Sequence, residues 1–130
     1  METSEEHIPK PIPYELVEVE DRDIHGRTLG VSMKQAITVG DIIIDFSLPK
    51  PNEKKEPGLQ FHFGAMESRN TSNQFVVFDR LYNLREGGEN SNIYIRLHGQ
   101  KNRIRISIEA PPEIRISRMP RHSHQHPQNA

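Results

Sequence analysis

The 130-residue chain contains no cysteine. That absence excludes disulfides, zinc–thiolate sites and thiol nucleophiles, and it fits a cytoplasmic protein. Long apolar runs are missing too. A run such as Ile42-Ile43-Ile44 falls far short of the roughly 20 residues that a membrane-spanning helix needs. The acidic N-terminal stretch has no apolar segment of the kind a signal peptide requires, so none is expected. Apolar residues make up 33% of the chain, aromatics 6%, and the mean hydropathy is −0.74. The core is therefore expected to be small, and small domains bury a lesser share of their surface. A core shared between two chains would relieve that shortage. No nucleophile elbow, phosphate loop, HExxH or dinucleotide fingerprint occurs, so the sequence reads as non-enzymatic, with no cofactor and no metal.

Charge is nearly balanced overall, at −1, but unevenly placed. Residues 1–30 carry Glu2, Glu5, Glu6, Glu15, Glu18, Glu20, Asp21 and Asp23 against Lys10, Arg22 and Arg27. Residues 91–121 carry Arg96, Lys101, Arg103, Arg105, Arg115, Arg118 and Arg121 against Glu109 and Glu113. An acidic front and a basic back imply either a polyanionic partner for the back or a pairing of the two ends.

Asn92 to Arg118 holds the clearest pattern. Branched apolar residues alternate there with polar ones, which predicts three amphipathic strands. Earlier strands are expected at Tyr14–Glu20, Thr28–Val31, Gln35–Val39, Asp41–Phe46 and Leu59–Phe63. Ser68–Asn73 reads as a polar loop. Gln74–Arg85 reads as a strand into Asp79, with room for one short helical turn up to Arg85. Gly87-Gly88 ends that element. The expected class is all-β, mostly antiparallel. One β-rich domain spans 14–120 with a proline- and charge-rich linker at 47–58. It is flanked by an acidic, Pro-containing tail at 1–13 and a His-rich tail at 121–130.

On the wet face of the last strands stand Tyr94, Arg96, Arg103, Arg105 and Arg115, with Arg118 at the end. Arginine forks pair with phosphate and stack on bases, and a tyrosine adds a stacking surface. Single-stranded RNA is recognised by such mixtures. The alternatives are an acidic protein partner for the same face, or a strand face that is merely solvated. His122, His124 and His126 have metal-ligand spacing. Adjacent imidazoles without an orienting carboxylate bind weakly, so they read as a solvated tail.

The segment Gly99–Arg118 resembles the carbon storage regulator (CsrA/RsmA) family. Ile108-Glu-Ala-Pro-Pro112 matches that family's Ala-Pro turn, and Ile114–Arg118 matches its last strand. Ile37-Thr-Val-Gly-Asp41 is similar to an earlier turn, and Leu84-Arg-Glu-Gly-Gly88 to an insertion in longer variants. The resemblance implies a small β-rich homodimer that binds single-stranded messenger RNA and represses translation, with Arg118 as its key arginine. The chain departs from the pattern at Thr28–Lys34, where the family has a basic cluster, and after Met119-Pro120, where it has a helix.

Overall fold

The computed structural model describes residues 14–49, 56–66, 68–100 and 103–121. Both tails, with the histidine cluster, and the middle of the proline-rich linker lie outside the described residues. Ten strands form: β1 (Tyr14–Glu18), β2 (Arg27–Gly30), β3 (Gln35–Val39), β4 (Ile42–Ser47), β5 (Gly58–Ala65), β6 (Ser68–Val77), β7 (Leu81–Glu86), β8 (Glu89–Gln100), β9 (Arg103–Glu109) and β10 (Ile116–Pro120). They make two five-stranded sheets, β1-β7-β8-β9-β2 and β10-β3-β4-β5-β6. Every neighbouring pair is antiparallel. The all-β expectation holds, and among the described residues there is no helix.

Three expectations need correction. Ser68–Asn73 is not a loop but the first half of β6, paired with β5. Its polar side chains misled the reading, because an edge strand needs few apolar residues to be held by its ladder. The short helical turn for which the sequence left room before Arg85 does not form. The chain turns at Phe78–Arg80 and continues as β7, so the apolar spacing of Phe75 to Leu84 belongs to two strands in different sheets. Finally, the last three strands do not share one face. β8 and β9 pair with each other, whereas β10 joins β3 in the second sheet. The cause is Ala110-Pro111-Pro112. Proline lacks the amide that would continue a ladder, and a tight turn forms in which Ile114 N–H donates to Pro111 O at 3.0 Å.

Alternation places the core between the sheets. Ile93, Ile95 and Leu97 of β8 and Ile106 and Ile108 of β9 face Ile37, Ile44, Phe46, Phe61 and Phe63, all of them buried. The scarce aromatics are concentrated here. Phe46 and Phe61 meet edge to face at 5.0 Å between ring centres, and Phe61 lies 5.9 Å from Phe63, a favoured arrangement of the ring quadrupoles. The β7–β8 hairpin closes on Gly87 and Gly88, both at positive φ (62° and 87°), as a two-residue turn matched to strand twist requires.

Side chains close the two seams of the sandwich. At β1 and β6, the Gln74 amide accepts from Leu16 N–H (2.7 Å) and donates to Leu16 O (2.6 Å). At β2 and β10, Arg27 donates to Ile116 O, and Arg118 donates to Gly30 O at 2.8 Å. Each arginine thus reaches from its own edge strand to the backbone of the other.

Candidate nucleic-acid interface

The outer face of the first sheet carries Tyr94, Arg96 and His98 of β8 beside Arg103, Arg105, Ser107 and Glu109 of β9. Register sets Tyr94 opposite Glu109, Arg96 opposite Ser107 and His98 opposite Arg105. Most of the basic residues singled out by the sequence are therefore neighbours, but they fall into two groups with different surroundings.

Tyr94 and Arg96 are covered. Between β1 at one edge and β2 at the other, the chain must cross the sheet, and residues 19–26 do so as a strap. Val19 N–H donates to Leu81 O at 2.9 Å. The Arg96 guanidinium pairs with Asp21 and donates to Arg22 O at 2.7 Å. It is only 15% exposed. The Arg22 guanidinium sits over the Tyr94 ring, 4.6 Å from its centre, and pairs with Glu109 at 3.1 Å. His25 N–H also donates to Glu109, at 2.8 Å. Hydrogen bonds from Arg22 and then from His25 hold the Glu109 carboxyl below the usual carboxylate range. The acidic front and the basic back thus meet within one molecule.

Arg103, Arg105 and Arg118 stand elsewhere. With Arg27, Thr28 and the edge of β2 they line an open groove of about 460 Å³. Arg27, Arg103 and Arg118 are exposed and Arg105 is half-buried. Among the described residues none of these four is ion-paired, while Arg22, Arg80 and Arg96 all are. Arg115, also exposed, lies in an adjoining groove with Arg27 and Glu113. Between strap and groove runs a polar ladder: His98 Nε2 and Thr28 Oγ1 each lie 2.8 Å from Ser107 Oγ.

Arg27 was missed by the sequence reading because it belongs to the acidic front. Pairing of β2 with β9 sets Arg27 opposite Ile108, and Arg27 shares the lining of the groove with Arg103 and Arg105. The groove is built to hold anions: planar forks on a rigid strand framework, with a free strand edge alongside. Among the described residues no group of three or more histidine or acidic side chains could hold a metal ion. No helix in the described residues is long and apolar enough to cross a membrane. No family model, curated protein or solved structure matches the chain.

Proposed function

We propose that the chain is a non-enzymatic module that binds single-stranded RNA along the arginine groove and acts as a cytoplasmic post-transcriptional regulator, the role implied by its resemblance to the carbon storage regulator family. One observation carries this reading. In a molecule of net charge −1, Arg27, Arg103, Arg105 and Arg118 converge on one groove whose lining, among the described residues, includes no carboxylate. Clustered, uncompensated arginines repel one another, and a phosphate backbone relieves that repulsion. The resemblance also implies a homodimer. Each chain closes its own sandwich, so such a dimer would join two finished cores rather than complete one.

The test is retention of a random single-stranded RNA pool across a salt series. Four phosphate contacts give a slope of log affinity against log salt of about −2.8, since each contact on a single strand contributes about −0.7. Arg103→Ala and Arg105→Ala should each flatten that slope by about 0.7. They are cleaner probes than Arg118, which also ties a seam. Absence of retention at low salt, or a slope that neither substitution changes, would sink the proposal.

The strap favours a second reading, a protein-interaction module. Glu20–Asp23 is in effect an acidic peptide already seated on this sheet, with Asp21 on Arg96. An acidic segment of another protein would meet the neighbouring groove by the same chemistry. A Glu- and Asp-rich peptide that binds more tightly than RNA at equal salt would decide for this reading.

A further inference from the structure

One end of the sandwich holds a cavity of mixed chemistry. β3 and β4 turn there at Gly40-Asp41, between the paired residues Val39 and Ile42. β7 ends there at Glu86, directly opposite Tyr14 of β1. Between the two sheets lies an open space of about 410 Å³, with Val39, Ile42, Ile93 and Ile114 among its apolar walls and Tyr14, Asp41 and Glu86 as its polar side chains. Val39, Ile42 and Ile93 are buried members of the core, and Ile114 packs against it. The cavity is thus continuous with the core, and its size is that of a small-ligand site. No described residue lines both this cavity and the arginine groove.

Register makes Glu86 unusual. Leu16 and Leu84 stand opposite each other on the core side of the first sheet. Residues two apart on a strand share a face, so Tyr14 and Glu86 stand on that same side. A core-side position ordinarily takes an apolar residue, and here it takes a carboxylate. The second carboxylate, Asp41, comes from a turn of the facing sheet. Both are exposed, and Tyr14 is half-buried. Glu18, Asp21, Glu56 and Glu109 each pair with an arginine, whereas among the described residues neither Asp41 nor Glu86 is ion-paired. Burial first, then the charge of Glu86 and that of Asp41, push the Tyr14 phenol above its usual pKa. Carboxylates from both walls therefore act on one protonated phenol. The Tyr14 ring is engaged with Phe63, 6.4 Å away between centres, so its hydroxyl is the group it offers a ligand.

We propose that this cavity binds an organic monocation, a primary ammonium on a compact apolar body, with Asp41 and Glu86 holding the ammonium and Val39, Ile42, Ile93 and Ile114 enclosing the apolar part. The described lining selects this class. It contains two carboxylates and no arginine, lysine or histidine, so an anion is repelled. Two carboxylates fall short of a metal site, and among the described residues no larger group of histidine and acidic side chains forms one. A neutral apolar ligand would fill the walls and leave the two like charges unrelieved. A cation with an apolar body satisfies both parts, and an ammonium has three protons to share among Asp41, Glu86 and the Tyr14 hydroxyl.

The experiment is a titration of the intact chain with n-hexylammonium, with 1-hexanol and hexanoate as its neutral and anionic counterparts. It is followed by the methyl resonances of Ile42, Ile93 and Ile114 and the ring resonances of Tyr14. Hexylammonium should shift these signals saturably, hexanol should bind about tenfold more weakly for want of both charge pairs, and hexanoate should leave them unmoved. Asp41→Asn and Glu86→Gln should each weaken hexylammonium by about two- to fivefold, the worth of one exposed ion pair. Both side chains are exposed and both replacements keep their shape, so the variants report on binding and not on folding. The Arg103→Ala/Arg105→Ala double variant should bind hexylammonium like the wild type, so that failure of the RNA reading and failure of this one remain separate. The proposal is overturned if no lining resonance responds, if hexanol binds as tightly as hexylammonium, or if neither Asp41→Asn nor Glu86→Gln weakens binding.

Discussion

Arg118 shows how one side chain can carry two meanings. Its match to the key arginine of the carbon storage regulator family made it an expected RNA contact. In the fold it also donates to Gly30 O and helps close the sandwich. Loss of that bond by Arg118→Ala should cost about 0.5–1.5 kcal/mol, a usual net value for one hydrogen bond, read as a lower urea midpoint. Gln74→Ala should cost more, about 1–3 kcal/mol, because it strips both partners from the Leu16 backbone and leaves them unpaired. Neither role was legible in the sequence, since alternation fixes the face of a residue but not the strand across the seam. Glu109 offers a pH test. Its folded pKa is depressed below the ordinary 4.5. Its contribution is therefore fully present above that value and is lost as pH falls through the lower, folded value. The His25 amide resonance should shift in that acidic window as its acceptor is protonated. Glu109→Gln should abolish the transition, and persistence of the shift in that variant would assign it to another group.

At the scale of elements, the sequence was most readable where one face is buried and the other wet. β1, β3, β4, β5, β8 and β9 all fall where period-two alternation placed them, because one face of each packs on the core. The first half of the edge strand β6 escaped notice, being polar and held by its ladder with β5. Partition between sheets was also hidden. Ala110-Pro111-Pro112 looked like a sign of kinship, and its physical effect is to send β10 into the other sheet. The strap is the element with most to say about function. It satisfies Arg96 and covers Tyr94, so these two of the six expected RNA contacts are occupied by the chain itself. Replacing Asp21 and Glu109 together by Asn and Gln removes both carboxylates that hold it. If Tyr94 and Arg96 belong to the RNA surface, this double variant should bind single-stranded RNA several-fold more tightly at low salt. Unchanged affinity would confine the interface to the arginine groove.

For the molecule as a whole, composition implied scarcity and the fold answers it by concentration. A third of the residues are apolar, yet alternation sends most strand-borne ones inward, and three of the five phenylalanines meet in one cluster of fully buried rings. A shared core was the remedy expected from hydropathy. Within one chain the two sheets bury each other, and Gln74 on one side and the paired arginines on the other close the seams. A thermodynamic consequence separates the two cases. If folding needed a second copy, the thermal midpoint would rise with protein concentration, because association stabilises the folded state by mass action. A core completed inside one chain has no such dependence as long as the folded chain is monomeric. The midpoint should therefore stay constant over a hundredfold dilution, while Phe61→Ala, which empties the centre of that core, should cost about 3–5 kcal/mol at every concentration. A midpoint that climbs with concentration would show that the interface between copies contributes to folding, and the unpaired edge of β2 beside the arginine groove would be the first place to look for it.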